Sequence, residues 1–157
     1  MAERRKAVPT AEELWIWRGF IETMDALRSE LASRLERESS LSPGDYAVLL
    51  ALREAGGRRL RPFELAARIG WQRSRLSHHI GRMERRGLIR REAYATDSRG
   101  AEVVLTSEGA EAFRSASLPH LRAVRELFVD PLTPEQLAAA DRIAATLRTR
   151  LQRLRDT

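Results

Sequence analysis

The chain has 157 residues and no cysteine, so a disulfide framework, a thiolate metal site and a cysteine redox switch are all excluded, while the length suffices for one cored domain with helical extensions. Its formal charge is +6, and 27 of its 28 basic residues are arginine. No apolar run approaches a signal-peptide core or a bilayer span, which leads to the expectation of a soluble cytoplasmic protein without membrane contact.

Thr10-Ala11-Glu12-Glu13 has the form of a capping box, in which hydroxyl and carboxylate each take an orphan amide of the first turn. Leu14, Trp17, Ile21, Met24, Leu31 and Leu35 follow at helical spacing and predict one long helix over about 11 to 37. Ser42-Pro43 supplies an N-cap and a first-turn proline for a second helix, whose Val48, Leu49 and Leu52 face a core before Gly56-Gly57 ends it. Leu60-Arg61-Pro62 opens a third, with Phe63, Leu65, Ala66 and Ile69 as its buried side and Gly70 closing it in a tight turn. A longer helix then runs from an N-cap at Gln72 toward Gly87.

Leu88-Ile89-Arg90-Arg91 and Val103-Val104-Leu105 are short β-prone runs, and Asp97-Ser98-Arg99-Gly100 between them predicts the tip of a hairpin. Thr106 or Ser107, with Glu108, caps a further helix carrying Phe113, Leu118, Leu121, Val124 and Leu127, in which Pro119 predicts a kink or break. Thr133-Pro134-Glu135-Gln136 is a second capping box, followed by Leu137, Ala140, Ala144, Leu147, Leu151 and Leu154 in a narrow seam suited to pairing with another helix. Helix, turn, longer polar-faced helix and basic hairpin together define a winged helix-turn-helix. The expected fold is thus mainly α with a small β-hairpin wing: an N-terminal helix at 10–40, the winged helix-turn-helix region at 41–106 and C-terminal helices at 107–157, with the apolar seams at both ends lacking enough partners within the chain.

Charge distribution says what this unit does. Between Arg58 and Arg99 there are twelve arginines against four acids, a net of +8, so the remainder of the chain carries −2. Such concentration is the electrostatic footprint of a nucleic-acid binder. On the longer helix, Leu76, Ile80 and Met83 form a tight apolar stripe, with Trp71 placed to staple onto Leu76. The opposite side carries Ser74, Arg75, His78, Gly81, Arg82 and Arg85, flanked by Arg73 and Ser77. Arginine reaches guanine O6 and N7 in bidentate fashion, serine donates or accepts, and arginines further along neutralise phosphates. His78 reads as a groove contact and His79 as partly packed; adjacent on a helix, they cannot share a metal as an i, i+4 pair does. Gly81 costs helix stability, so close approach of DNA or of a neighbouring helix is expected there. At the hairpin tip Asp97 is placed to orient Arg99, a protruding arginine suited to a narrow minor groove. No metal-ligand spacing, phosphate-cradling glycine loop or nucleophile–base pair is present, so neither an enzyme nor a cofactor is expected.

Glu64-Leu65-Ala66, Ser74-Arg75-Leu76-Ser77, the run from Arg82 to Ile89, Asp97-Ser98-Arg99-Gly100 and Leu105-Thr106-Ser107-Glu108-Gly109 resemble the multiple antibiotic resistance regulator (MarR) family. The resemblance implies a homodimer with interlocked terminal helices, holding two reading helices in successive major grooves of a pseudo-palindromic double-stranded operator. It also implies a repressor released by a small aromatic or anionic ligand bound where the dimer helices meet the winged helix; the oxidant-sensing branch that uses cysteine is excluded. Trp15, Trp17, Phe20, Met24 and Phe113, with Arg18 nearby as an anion partner, are the residues available to line such a site. Core or dimer packing is the competing role for the same apolar side chains. A constitutive DNA-binding protein without effector, and a winged helix used only as a protein-interaction module, are the alternative functions.

Overall fold

The computed structural model describes residues 8–94 and 97–155, without the side chains of 94, 97–99 and 155. Helix α1 spans Ala11–Ser39, α2 Pro43–Glu54, α3 Pro62–Ile69, α4 Arg73–Arg85, α5 Ser107–Val124 and α6 Pro134–Arg155. Three strands, β1 (Arg59–Leu60), β2 (Ile89–Tyr94) and β3 (Asp97–Leu105), form an antiparallel sheet in the order β1-β3-β2. This is the expected winged helix, mainly α with a small sheet.

The helices begin where their caps dictate. Glu13 N–H donates to Thr10 Oγ1 at 3.2 Å and Thr10 N–H to Glu13 Oε2 at 2.6 Å, so the first capping box is complete. The box at α6 forms likewise, with Gln136 N–H donating to Thr133 Oγ1 at 3.2 Å and Thr133 N–H to Gln136 Oε1 at 2.9 Å. At α5 it is Thr106 whose hydroxyl accepts, from Gly109 N–H at 3.0 Å. Gly70, at φ +70°, makes the left-handed turn between α3 and α4 that a residue with a Cβ adopts only under strain.

The chain divides into two compact units, the break falling after His120. In the first, Leu41, Val48, Leu49, Leu52, Leu65, Leu76, Met83, Ile89 and Val103 are fully buried. Leu76 and Met83, with Ile80, are the stripe expected of the reading helix, now the surface by which α4 is seated. Phe113 and Ala116 join the same core, which keeps the first part of α5 with the winged helix. The second unit holds the end of α5, a π-helical turn at Arg125–Val129, and α6.

Three expectations are corrected. Pro119 does not break its helix: α5 continues past it to Val124, and a π-turn follows at Arg125–Val129. Proline deletes one amide donor, and here that single loss does not outweigh the hydrogen bonds and packing on either side. Secondly, Asp97-Ser98-Arg99-Gly100 belongs to β3, with Asp97 paired to Tyr94, rather than to the turn. Pairing of Asp97 with Tyr94 carries the strand past the expected tip, while Ser98, Arg99 and Gly100 fall in a register shift between that pair and Ala93–Ala101. Thirdly, Leu60 precedes the third helix as part of β1, whose Arg59 and Leu60 pair with Val104 and Val103.

Candidate nucleic-acid interface

Because α4 buries Leu76, Ile80 and Met83, helical phase turns the rest of it outward. Arg73, Ser74, Arg75, Ser77, His78 and Arg82 are all exposed on this one helix, as the sequence leads one to expect. Gly81 has nothing within 4 Å of where a Cβ would stand, so no neighbouring helix of this chain explains it. It leaves an open notch in the middle of the face. Arg73 and Ser77 also border a cavity of about 480 Å³ between the start of α3, α4 and the sheet, whose rim includes Arg61, Phe63, Arg91 and Ala101.

The helix is fastened to α2 through a residue that the sequence reading passed over. Asp45, 3 % exposed, is the N3 residue of the α2 capping box, and Ser42 N–H donates to its Oδ2 at 3.0 Å. The same oxygen accepts from Arg86 Nη1 at 2.6 Å, while Arg86 Nη2 donates to the Ser40 carbonyl at 2.6 Å. Oδ1 stands 2.9 Å from His79 Nε2, close enough for strong attraction although the N–H direction is poor for a hydrogen bond. Burial alone would raise the Asp45 carboxyl; the Ser42 amide, Arg86 and His79 together hold it below its ordinary value. The signal in the sequence was Ser42-x-x-Asp45, a capping box that leaves one carboxylate oxygen spare.

His79 is buried rather than partly packed. Its Nδ1 lies 3.0 Å from Arg82 Nη2, and its ring meets the edge of Trp71 with centroids 5.1 Å apart. Trp71 in turn carries the Arg75 guanidinium, 4.0 Å above the ring centroid. Burial lowers the His79 pKa, with Arg82 and Arg75 adding to the effect against the pull of Asp45.

The basic surplus is not evenly available. Arg59 lies 3.4 Å from Glu92 and 3.3 Å from Glu102, Arg90 lies 2.6 Å from Glu92, and Arg91 lies 3.5 Å from Glu84. By contrast Arg73, Arg75, Arg82 and Arg85 have no acidic partner among the described residues. Next to the sheet, whose basal arginines are neutralised locally, α4 therefore presents four arginines uncompensated by an ion pair. The side chains of Asp97 and Arg99, and with them the expected ion pair, lie outside the described residues.

The residues offered for a ligand site are not gathered into one pocket. Trp15 (79 % exposed), Trp17 (59 %) and Phe20 (45 %) stand out from α1, and Met24 is half-buried. Phe113 is instead in the core, its ring 4.9 Å from that of Tyr46. A different cavity, of about 440 Å³, opens between α1, α2 and α5, bordered by Arg28, Leu31, Leu35, Tyr46 and His120. The His120 ring lies tilted against Tyr46, centroids 4.8 Å apart, and burial lowers its pKa. Among the described residues no group of histidines and acids has the makeup of a metal site, and no helix is long and apolar enough to cross a membrane.

Comparison with known proteins agrees with this geometry. Residues 39–100 match the model of the MarR family. The transcriptional regulator HosA of Escherichia coli O157:H7 is 34% identical over 96 residues, which are 61% of this chain and 69% of HosA. Two MarR family transcriptional regulators from Streptomyces coelicolor superpose closely: Sco3205, solved in complex with DNA, with a TM-score of 0.86 and 39% identity over 92% of this chain and 94% of that one, and AbsC, with a TM-score of 0.86 and 35% identity over 94% and 99% respectively. These relatives are regulators rather than enzymes, and the protein described here belongs to the MarR family of DNA-binding transcriptional regulators.

Proposed function

We propose that this protein is a homodimeric repressor that reads a pseudo-palindromic operator with α4 and the sheet, and that a small aromatic or anionic ligand releases it. The observation that carries the DNA-reading role is the outward face of α4, where Arg73, Ser74, Arg75, Ser77, His78 and Arg82 are exposed and the arginines lack acidic partners. A helix with that face matches the donor and acceptor pattern of a major groove, and Arg99 with Asp97 extends the contact toward the minor groove. The DNA complex of Sco3205 supports the same assignment.

Homodimerisation has its support in apolar side chains left facing water at both ends of the chain. On α1 these are Leu14, Trp15, Ile16, Trp17, Phe20 and Ile21, and on α6 Ile143, Leu147, Leu151 and Leu154. Each set lies on a helix that a second copy would cover, and a two-fold dimer places two reading helices one helical turn of DNA apart. In this scheme 10–40 and 107–157 supply the dimer scaffold and 41–106 the DNA-reading part. The ligand-responsive element is the cavity beside Tyr46 and His120, of drug-like size and lined by apolar groups together with the Arg28–Asp25 ion pair.

The deciding experiment is selection of bound duplexes from a random library, followed by gel shifts on the selected operator and a scrambled duplex. A marked preference for the operator, weakening steeply with salt as counterions are released, is expected. Equal affinity for both duplexes defeats sequence-specific regulation. A thermal-shift screen with aromatic acids then separates the ligand-released repressor from a constitutive binder, since a ligand of the folded state raises the Tm.

A further inference from the structure

Two arginines of the reading face are held from behind. Arg75 and Arg82 are seven residues apart, close to two turns, so they project from the same side of α4. Arg82 Nη2 lies 3.0 Å from His79 Nδ1, and Arg75 lies on the Trp71 ring that meets His79 edge-on. Under both rings is Gly44 of α2, where a Cβ would come within 2.7 Å of Trp71 Cη2 and 2.8 Å of His79 Cε1. The absence of a side chain at Gly44 is thus what lets the two rings settle on α2.

Chemistry fixes the state of the central ring. A guanidinium has only donors, so the contact with Arg82 requires Nδ1 to be an unprotonated acceptor. The ring proton then sits on Nε2, the nitrogen that stands 2.9 Å from the Asp45 carboxylate and is drawn to its charge. The charged groups facing the imidazole are Asp45 from α2 and Arg82 and Arg75 from α4, and burial adds to the two arginines in disfavouring a second proton.

We propose that His79 is a positioning residue for DNA reading: a neutral imidazole, anchored on Asp45, that holds Arg82 through Nδ1 and supports through Trp71 the plane on which Arg75 rests. The inference rests on the DNA-reading role of α4 given above. Arginines already ordered in the free protein lose less conformational freedom on binding and reach the duplex in one posture, which favours the right site over the wrong one. Neither Trp71 nor His79 need touch DNA for this. Base preference at the positions read by Arg75 and Arg82 is then set partly from a different helix.

The test measures, on the full chain, the ratio of affinities for the selected operator and for scrambled duplex. His79→Leu keeps the volume but removes both nitrogens, and is expected to lower that ratio about tenfold, the worth of one good base contact. His79→Gln retains a donor and an acceptor and is expected to keep most of it. Gly44→Ala leaves every charged group in place while driving a methyl into Trp71 and His79, and is expected to lower the ratio similarly with helix content and dimer mass unchanged. In the wild-type protein, long-range ¹⁵N–¹H spectra at pH 7 should show a neutral His79 protonated on Nε2. An unchanged ratio in both His79→Leu and Gly44→Ala, or an Nδ1–H or doubly protonated ring, overturns the positioning role. If His79→Leu does not fold, Gly44→Ala and the wild-type spectrum decide. A wild-type protein that fails to tell operator from scrambled DNA instead overturns the reading role of α4, and the spectrum still decides the state of His79.

Discussion

Gly109 sits against the carbonyl of Leu88 so closely that a Cβ at this position would overlap the oxygen. The start of α5 is thereby pressed onto the base of β2, where Thr106 Oγ1 also donates to the Gly87 carbonyl at 2.7 Å. Both sides of the Gly109 contact are backbone, so neither can swing aside. Gly109→Ala is expected to destabilise the fold by about 3 kcal/mol, mostly through overpacking. Thermal or urea denaturation checks it; a loss below about 0.5 kcal/mol, the range of neutral surface changes, would mean that the helix shifts freely.

Asp45 concentrates three partners on one buried carboxylate. Replacing it with alanine strands the Ser42 amide, Arg86 and His79 together. Because the Arg86 side chain is 43% exposed and can rehydrate, the expected cost of Asp45→Ala is about 2 to 3 kcal/mol rather than the full penalty of a buried ion pair. A lower urea midpoint at an unchanged m-value is the expected signature.

Acid should act in two stages. His79 and His120 both titrate below the ordinary 6.5, chiefly because they are buried. As pH falls through 6.5 the unfolded chain therefore takes up protons before the folded one, and stability declines. Asp45 titrates below its ordinary 3.8, so its contribution is complete above that value and is lost as pH falls through the depressed folded pKa. A Tm profile flat above about pH 7 and falling below pH 6.5 is expected. His79→Gln and His120→Gln should each shallow the first decline, and an unaltered profile in the double variant would assign it to other groups.

Leu151, 57 % exposed on α6, tests the dimer. Glutamate there would place a charge in the seam, weakening association by about tenfold or more. Leu151→Glu is expected to run as a monomer by light scattering at micromolar concentration and to lose operator binding, since one protomer meets only one half-site. A dimer of normal stability would remove α6 from the interface.

Arg99→Ala examines the wing. Loss of one contact to the duplex should weaken operator binding about tenfold and reduce the salt slope by about 1, leaving Tm and dimer mass as they were. Unchanged affinity would leave recognition to α4 alone.

Local signals in the sequence located most elements. Thr10, Ser42 and Thr133 mark helix starts because capping is a matter of three or four consecutive residues, and the Leu76, Ile80, Met83 stripe identifies the seated side of α4 because helical period needs no tertiary knowledge. What escaped was non-local. Asp45 and Arg86 lie 41 residues apart, and no periodicity links them. Strand β1 is two residues long, too short to show alternation, and exists only because β3 offers it partners. Phe113 followed the helical pattern of α5, but its neighbour proved to be Tyr46 rather than the aromatic residues of α1.

The double attachment of α4 to one carboxylate has a kinematic consequence. Asp45 holds the helix through His79 in its middle and through Arg86 at its end, two points seven residues apart. A rod pinned twice neither rolls nor slides in its socket. The reading helix is therefore carried with α2 as one body, so that whatever displaces α2 displaces the whole of α4 and leaves its outward face at the same angle to α2.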